Sequence, residues 1–84
     1  MIKVTLKLYA LLGTYLPPEA HKNVVALDVD DGTTAVDLLQ RFNVPQEMCH
    51  LVLINGIFVP PDTRDTAILK DGDALAVWPP VAGG

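Results

Sequence analysis

The sequence predicts an α+β domain in which one helix crosses one face of a mixed sheet of about five strands. Three observations lead there. The opening segment Ile2-Lys3-Val4-Thr5-Leu6-Lys7-Leu8-Tyr9 sets apolar residues at 2, 4, 6 and 8 against Lys and Thr, the period-two pattern of a strand with one buried face. Only one stretch, Thr34 to Phe42, carries a convincing helical stripe. The turn signals Asp30-Asp31-Gly32, Asn55-Gly56 and Lys70-Asp71-Gly72-Asp73 divide much of the remainder into short apolar strands.

Each element has its own warrant. Residues 10–22 hold Gly13 and Pro17-Pro18 and read as a loop with a short helical turn. Asn23 to Val29 is β-branched and apolar-rich, a second strand pairing back on the first. The helix begins with Thr34 and Asp37 in capping-box spacing. Its Ala35, Leu38, Leu39 and Phe42 fall at i, i+3, i+4 and i+7, one stripe for a sheet to cover. Asn43 and Pro45 end it, since proline disfavours helix in the residue before it. Leu51-Val52-Leu53-Ile54 is a continuous apolar run, the mark of a strand buried on both faces. Asn55-Gly56 is a strong hairpin signal leading into Ile57-Phe58-Val59, which Pro60-Pro61-Asp62 breaks. Ala74 to Trp78 is the last strand. With the helix joining strands two and three, and the final strand free to pair beside the first, the expected topology is the ubiquitin-like β-grasp.

Size and charge narrow the function. An 84-residue chain, half of it hydrophobic, has room for a single domain, residues 1–84, that buries roughly 60% of its unfolded surface. It has no room to enclose a large active site as well. A net charge of −4 argues against nucleic-acid binding, which draws its affinity from neutralising phosphates. One cysteine, Cys49, makes no intramolecular disulfide, and a reducing, cytoplasmic setting follows as the simpler expectation. No apolar run approaches a membrane span, and Met1–Leu12 lacks the block and cleavage site of a secretion signal.

Side-chain catalysis finds little to work with. Cys49 beside His50 could form a pair, but neighbours on a strand point to opposite faces, and such a cysteine is ordinarily an apolar filler. His21 reads as a solvated loop residue, and two histidines with one cysteine give no zinc spacing. Neither Asp30-Asp31-Gly32 nor Asp71-Gly72-Asp73 continues into a calcium loop, so both are turns. No glycine-rich phosphate cradle is present, and neither a bound cofactor nor a metal is expected.

What remains is Pro79-Pro80-Val81-Ala82-Gly83-Gly84. Two prolines cannot join a ladder and favour an extended conformation, after which the side chains shrink to nothing. From Pro80 onward an extended arm reaches roughly 15 Å. A stiff base with a thin tip suits threading into a narrow channel of another protein, where a Cβ would clash; a frayed terminus is the bland alternative. A terminal carboxylate is inert until a partner adenylates it. Sulfide or a persulfide can then displace AMP and leave a thiocarboxylate, making the tail a swinging sulfur donor.

This end, with Leu69-Lys70-Asp71-Gly72-Asp73-Ala74-Leu75-Ala76-Val77-Trp78 before it, closely resembles the MoaD/ThiS family of sulfur-carrier proteins. The Pro-Pro-Val-Ala approach is MoaD-like, as in the small subunit of molybdopterin synthase. Further likeness lies in the opening strand, in Gly32-Thr33-Thr34 before Ala35-Val36-Asp37-Leu38-Leu39, and in Ile54-Asn55-Gly56. The resemblance implies a β-grasp fold and a non-catalytic sulfur-donor subunit. It implies that Gly84 is adenylated by an E1-like adenylyltransferase using ATP, then thiocarboxylated from a persulfide, with Gly83 allowing close approach. The tail would then enter the large synthase subunit and give sulfur to a pyranopterin. Phe58 and Trp78, large and apolar near the tail, are candidates with Pro79, Pro80, Val81 and Ala82 for partner contact. A ThiS-like carrier for thiazole synthesis, and a ubiquitin-like modifier joined to lysines, are the competing readings.

Overall fold

The alternation at the start of the chain becomes β1, Ile2–Leu8, with Val4, Leu6 and Leu8 buried and Lys3, Thr5 and Lys7 on the other face. The structure, a computed structural model, describes residues 1–80. A 3-10 turn over Ala10–Tyr15 leads to β2, Val24–Val29, which returns antiparallel along β1 from Lys7↔Val24 to Ile2↔Val29. The turn fits tightly: the Asn23 amide donates to the Leu8 carbonyl at 2.7 Å, and a Cβ on Gly13 would stand 2.5 Å from that amide nitrogen. Then follow α1, Ala35–Arg41; β3, Leu51–Ile54; β4, Ile57–Phe58; and β5, Ala74–Trp78. The sheet order is β2-β1-β5-β3-β4. β5 runs parallel to β1 and antiparallel to β3, so the last strand lies at the centre. This is the five-stranded, α+β, ubiquitin-like β-grasp expected from the sequence.

Local signals set the helix ends. The Thr34 hydroxyl accepts from the Asp37 N–H and the Asp37 carboxylate from the Thr34 N–H, both at 3.1 Å. Two further first-turn donors find carbonyls outside the helix, Ala35 N–H on Ala67 at 2.9 Å and Val36 N–H on Arg64 at 3.4 Å. At the other end Asn43 adopts a left-handed φ of 62°, donating to Gln40, while Val44 donates to Leu39. That is a Schellman closure with asparagine in place of the usual glycine. Phe42 is accordingly the cap rather than a helical residue, and is half-buried beside the buried Ala35, Leu38 and Leu39.

The core lies between α1 and one face of the sheet: Val4, Leu6, Leu8, Val25, Val29, Val52, Leu75 and Val77 meet Leu38 and Leu39, with Leu12 and Leu69 closing the edges. Each such leucine contributes about 1.5–3 kcal/mol on burial. One expectation is corrected here. In β3 only Val52 is buried, while Leu51, Leu53 and Ile54 are half-buried. The strand is internal to the sheet, yet among the described residues α1 covers a single face. Leu51 and Leu53 lie on the other.

Where β3 turns into β4, Asn55 and Gly56 have φ of 52° and 81°, as a two-residue type I′ hairpin requires. The Asn55 amide donates to the Asp73 carboxylate at 2.8 Å and its oxygen accepts from Ala74 N–H at 2.9 Å. Asp73 also accepts from Lys70 N–H at 2.8 Å, and Asp71 from Lys3 N–H at 2.9 Å. The two turns are thus clasped to each other and to the start of β1.

Candidate functional site

The region of interest begins where β5 ends. Tyr9 donates its N–H to the Val77 carbonyl at 3.1 Å, which places its ring against Trp78. The two rings stack at 4.3 Å between centroids and 11° between planes. On the other side, His50 N–H donates to the Trp78 carbonyl at 3.0 Å, the final rung of the ladder. Pro79 and Pro80 then leave without N–H groups to continue it.

Around this departure point lies an almost wholly apolar groove of about 450 Å³, walled by Leu11, His50, Leu51, Trp78, Pro79 and Pro80. Leu11, 73% exposed, is carried there by the 3-10 turn. The chain reaches that turn through Ala10 at φ 53°, a left-handed geometry that costs a residue with a side chain roughly 1–2 kcal/mol. Strain of this kind persists only where surrounding structure imposes it.

Residues paired directly across strands share a face. The registers Leu51↔Trp78, Leu53↔Ala76 and Leu53↔Phe58 therefore join the groove to a band running over the face away from α1. Phe58 lies in that band on the edge strand, 51% exposed.

Of the residues singled out from the sequence, Trp78, Pro79 and Pro80 come together at the groove, with Trp78 and Pro79 half-buried and Pro80 exposed. Phe58 sits further along the same face. Val81, Ala82, Gly83 and Gly84 lie outside the described residues. Tyr9, Leu11, His50 and Leu51 were missed; the aromatic Tyr9 closing the first alternating segment was the one usable signal. Cys49 and His50 do not form a pair. Cys49 is buried with its thiol donating to the Pro45 carbonyl at 3.5 Å, whereas His50 is exposed. Burial pushes the Cys49 thiol above its ordinary range, the Arg64 guanidinium partly offsets this, and Glu47 adds to the rise. A protonated, enclosed thiol is a poor nucleophile. Among the described residues no three His, Cys, Asp or Glu side chains gather to hold a metal ion, and no helix is long and apolar enough to cross a membrane.

A central last strand whose continuation departs past an apolar groove, on a sheet with one open face, defines a ubiquitin-like β-grasp protein. Residues 17–84 match the model of the ThiS family, so the chain belongs to that family and is a sulfur carrier of the ThiS/MoaD type. It is 36% identical over 62 residues to the molybdopterin synthase sulfur carrier subunit of Drosophila erecta, a match covering 69% of each chain. Among solved structures it resembles the Haloferax volcanii protein HVO 2177, with a TM-score of 0.73, 27% identity and coverage of 99% of this chain and 87% of that one. It also resembles SAMP1 of Haloferax volcanii, whose name stands for small archaeal modifier protein, with a TM-score of 0.66, 26% identity and coverage of 98% and 99%.

Proposed function

We propose that this protein carries sulfur as a thiocarboxylate on Gly84 and delivers it in molybdopterin assembly, as the small subunit of a two-subunit synthase. The observation that supports this most is the setting of the tail's base. Pro79 and Pro80 continue a strand locked on both sides, beside a groove that can receive a partner's apolar side chains. A rigid departure point limits the conformational freedom that must be surrendered when the remaining residues enter a narrow channel. The MoaD-like end and the Drosophila erecta relative favour this acceptor over thiazole synthesis.

In the chemistry proposed, a Gly84 carboxylate oxygen attacks the α-phosphorus of ATP on an E1-like adenylyltransferase and pyrophosphate leaves. The terminal sulfur of a persulfide donor then attacks the acyl carbon and AMP departs, leaving an acyl disulfide. A thiol cleaves its S–S bond, taking the donor's sulfur into a new disulfide and releasing the thiocarboxylate. Gly83 lets backbone approach backbone there. Phe58, Trp78, Pro79, Pro80, Val81 and Ala82 are assigned to partner contact. The chain itself contributes binding and delivery and no catalytic side chain.

Mass spectrometry of the protein isolated from its own host tests this. One terminal oxygen replaced by sulfur is the expected result, and deletion of Gly84 should abolish activation while leaving the melting temperature unchanged. Absence of sulfur in every preparation made with an active adenylyltransferase would overturn the reading. The likeness to SAMP1 favours a second outcome, in which the activated glycine passes to lysine amines. Isopeptide-linked conjugates that disappear on Gly84 deletion would identify it.

A further inference from the structure

Arg64 is the buried charged residue among those described, 4% exposed, and it forms no salt bridge among them. Its guanidinium is directed at three backbone carbonyls instead. Nε donates to Val59 at 3.0 Å, Nη1 to Cys49 at 2.7 Å and Nη2 to His50 at 3.4 Å. Enclosing a charge without a counter-ion is unfavourable unless its donors are satisfied. The planar fork of arginine serves several acceptors at once in a way that a lysine ammonium does not. An apolar residue would fill the same space without the desolvation, so the hydrogen bonds themselves are the distinguishing contribution.

Those bonds fall at a telling place. Cys49 has φ −91° and ψ 77°, outside regular structure, as the chain leaves the 3-10 turn Gln46–Met48 and approaches β3. Residues 49 and 50 come before β3, and the guanidinium bonds the two carbonyls there, while the His50 N–H makes the last rung of the ladder. His50 then passes the constraint on. Its carbonyl is held by Arg64, its N–H holds the Trp78 carbonyl at 3.0 Å, and Trp78 is bonded directly to Pro79. His50 is also a wall of the groove.

We propose that Arg64 is a positioning residue for the C-terminal tail: by holding the carbonyls of Cys49 and His50 it fixes the groove wall and the last rung at Trp78, and so the direction in which the tail is presented to an activating enzyme. This rests on the carrier reading above.

Three forms of the full chain provide the test: wild type, Arg64→Met and Arg64→Lys. Each is studied at a temperature where circular dichroism shows it fully folded. Amide hydrogen exchange is measured alongside steady-state adenylation by an E1-like adenylyltransferase with ATP, the carrier being the varied substrate. In Arg64→Met the His50 amide should exchange about tenfold faster or more, while amides of the β1–β2 ladder stay within about twofold of wild type. The KM for the carrier should rise about tenfold with kcat nearly unchanged, because a misdirected tail weakens docking and not chemistry. Arg64→Lys should fall between the two on both measures, and it carries the same test if Arg64→Met does not fold. Wild-type protection at His50, a wild-type KM despite lost protection, or equal acceleration across β1–β2 would each overturn the proposal. If the wild-type chain is not adenylated at all, the carrier reading fails, and exchange at His50 alone then decides whether Arg64 orients this end.

Discussion

The two ends of the sheet are held by different chemistry. At the hairpin end the Asn55 and Asp73 side chains lock two turns together, and Asp71 ties them to β1. At the tail end an aromatic stack, an apolar groove and one enclosed guanidinium take over. Hydrogen bonds between side chain and backbone satisfy themselves internally and leave nothing to offer a visitor. Apolar surface half-open to water keeps part of its transfer free energy in reserve for a partner. On the proposed reading, in which partners dock at the tail end, the division teaches that stability and docking reside in separable places, and substitutions at either end should betray which role they touch.

The largest separation should come from Asn55→Ala. It removes two hydrogen bonds and places alanine at a left-handed position, so we expect a loss of about 2 kcal/mol, a fall in Tm of roughly 8–16 °C for a domain of this size. Adenylation kinetics of the folded fraction should be unchanged; calorimetry and steady-state assay check the two halves, and a raised KM would break the division. The converse variant is Phe58→Ser on the open face. Thermal stability should move by no more than about 0.5 kcal/mol, while the KM for a partner enzyme rises about tenfold. An unchanged KM would remove Phe58 from the contact surface.

The smallest effect concerns Cys49, in the packing behind the groove. Its thiol holds the proton more tightly folded than unfolded, because burial opposes the thiolate. The stability this contributes is fully present below the ordinary thiol value of about 8.5 and is lost as the pH climbs from there through the raised folded value. Urea midpoints of wild type and Cys49→Ala, compared from pH 7 to pH 10, should show the steeper decline in wild type. Parallel curves would mean that burial does not favour the protonated thiol.

The hairpin end was legible in the sequence and much of the tail end was not. Asn55-Gly56 and Asp71-Gly72-Asp73 are turn chemistry written in adjacent letters, as are Thr34 with Asp37 and Asn43 before Pro45. Short-range rules suffice wherever the partners are neighbours in the chain. The clasp between Asn55 and Asp73 already exceeds them, joining residues 18 apart. Leu11 looked like an ordinary loop residue, and its place at the groove follows from the left-handed turn at Ala10. Arg64 sits in a polar stretch, Pro60 to Thr66, where burial leaves no periodic trace. The apolar run Leu51–Ile54 misled for a related reason: composition reported a strand inside a sheet, but which faces are covered depends on how many helices are available.

One consequence follows from the central place of β5. A tail rooted in an edge strand could be peeled away rung by rung, each bond yielding in turn to a small load. Here traction along the strand is borne on both flanks at once, through β1 on one side and β3 on the other, as a sliding load shared over the rungs. An enzyme that grips the end of this chain and draws it inward therefore hauls the whole body after it, and the carrier can be passed from hand to hand without coming unravelled.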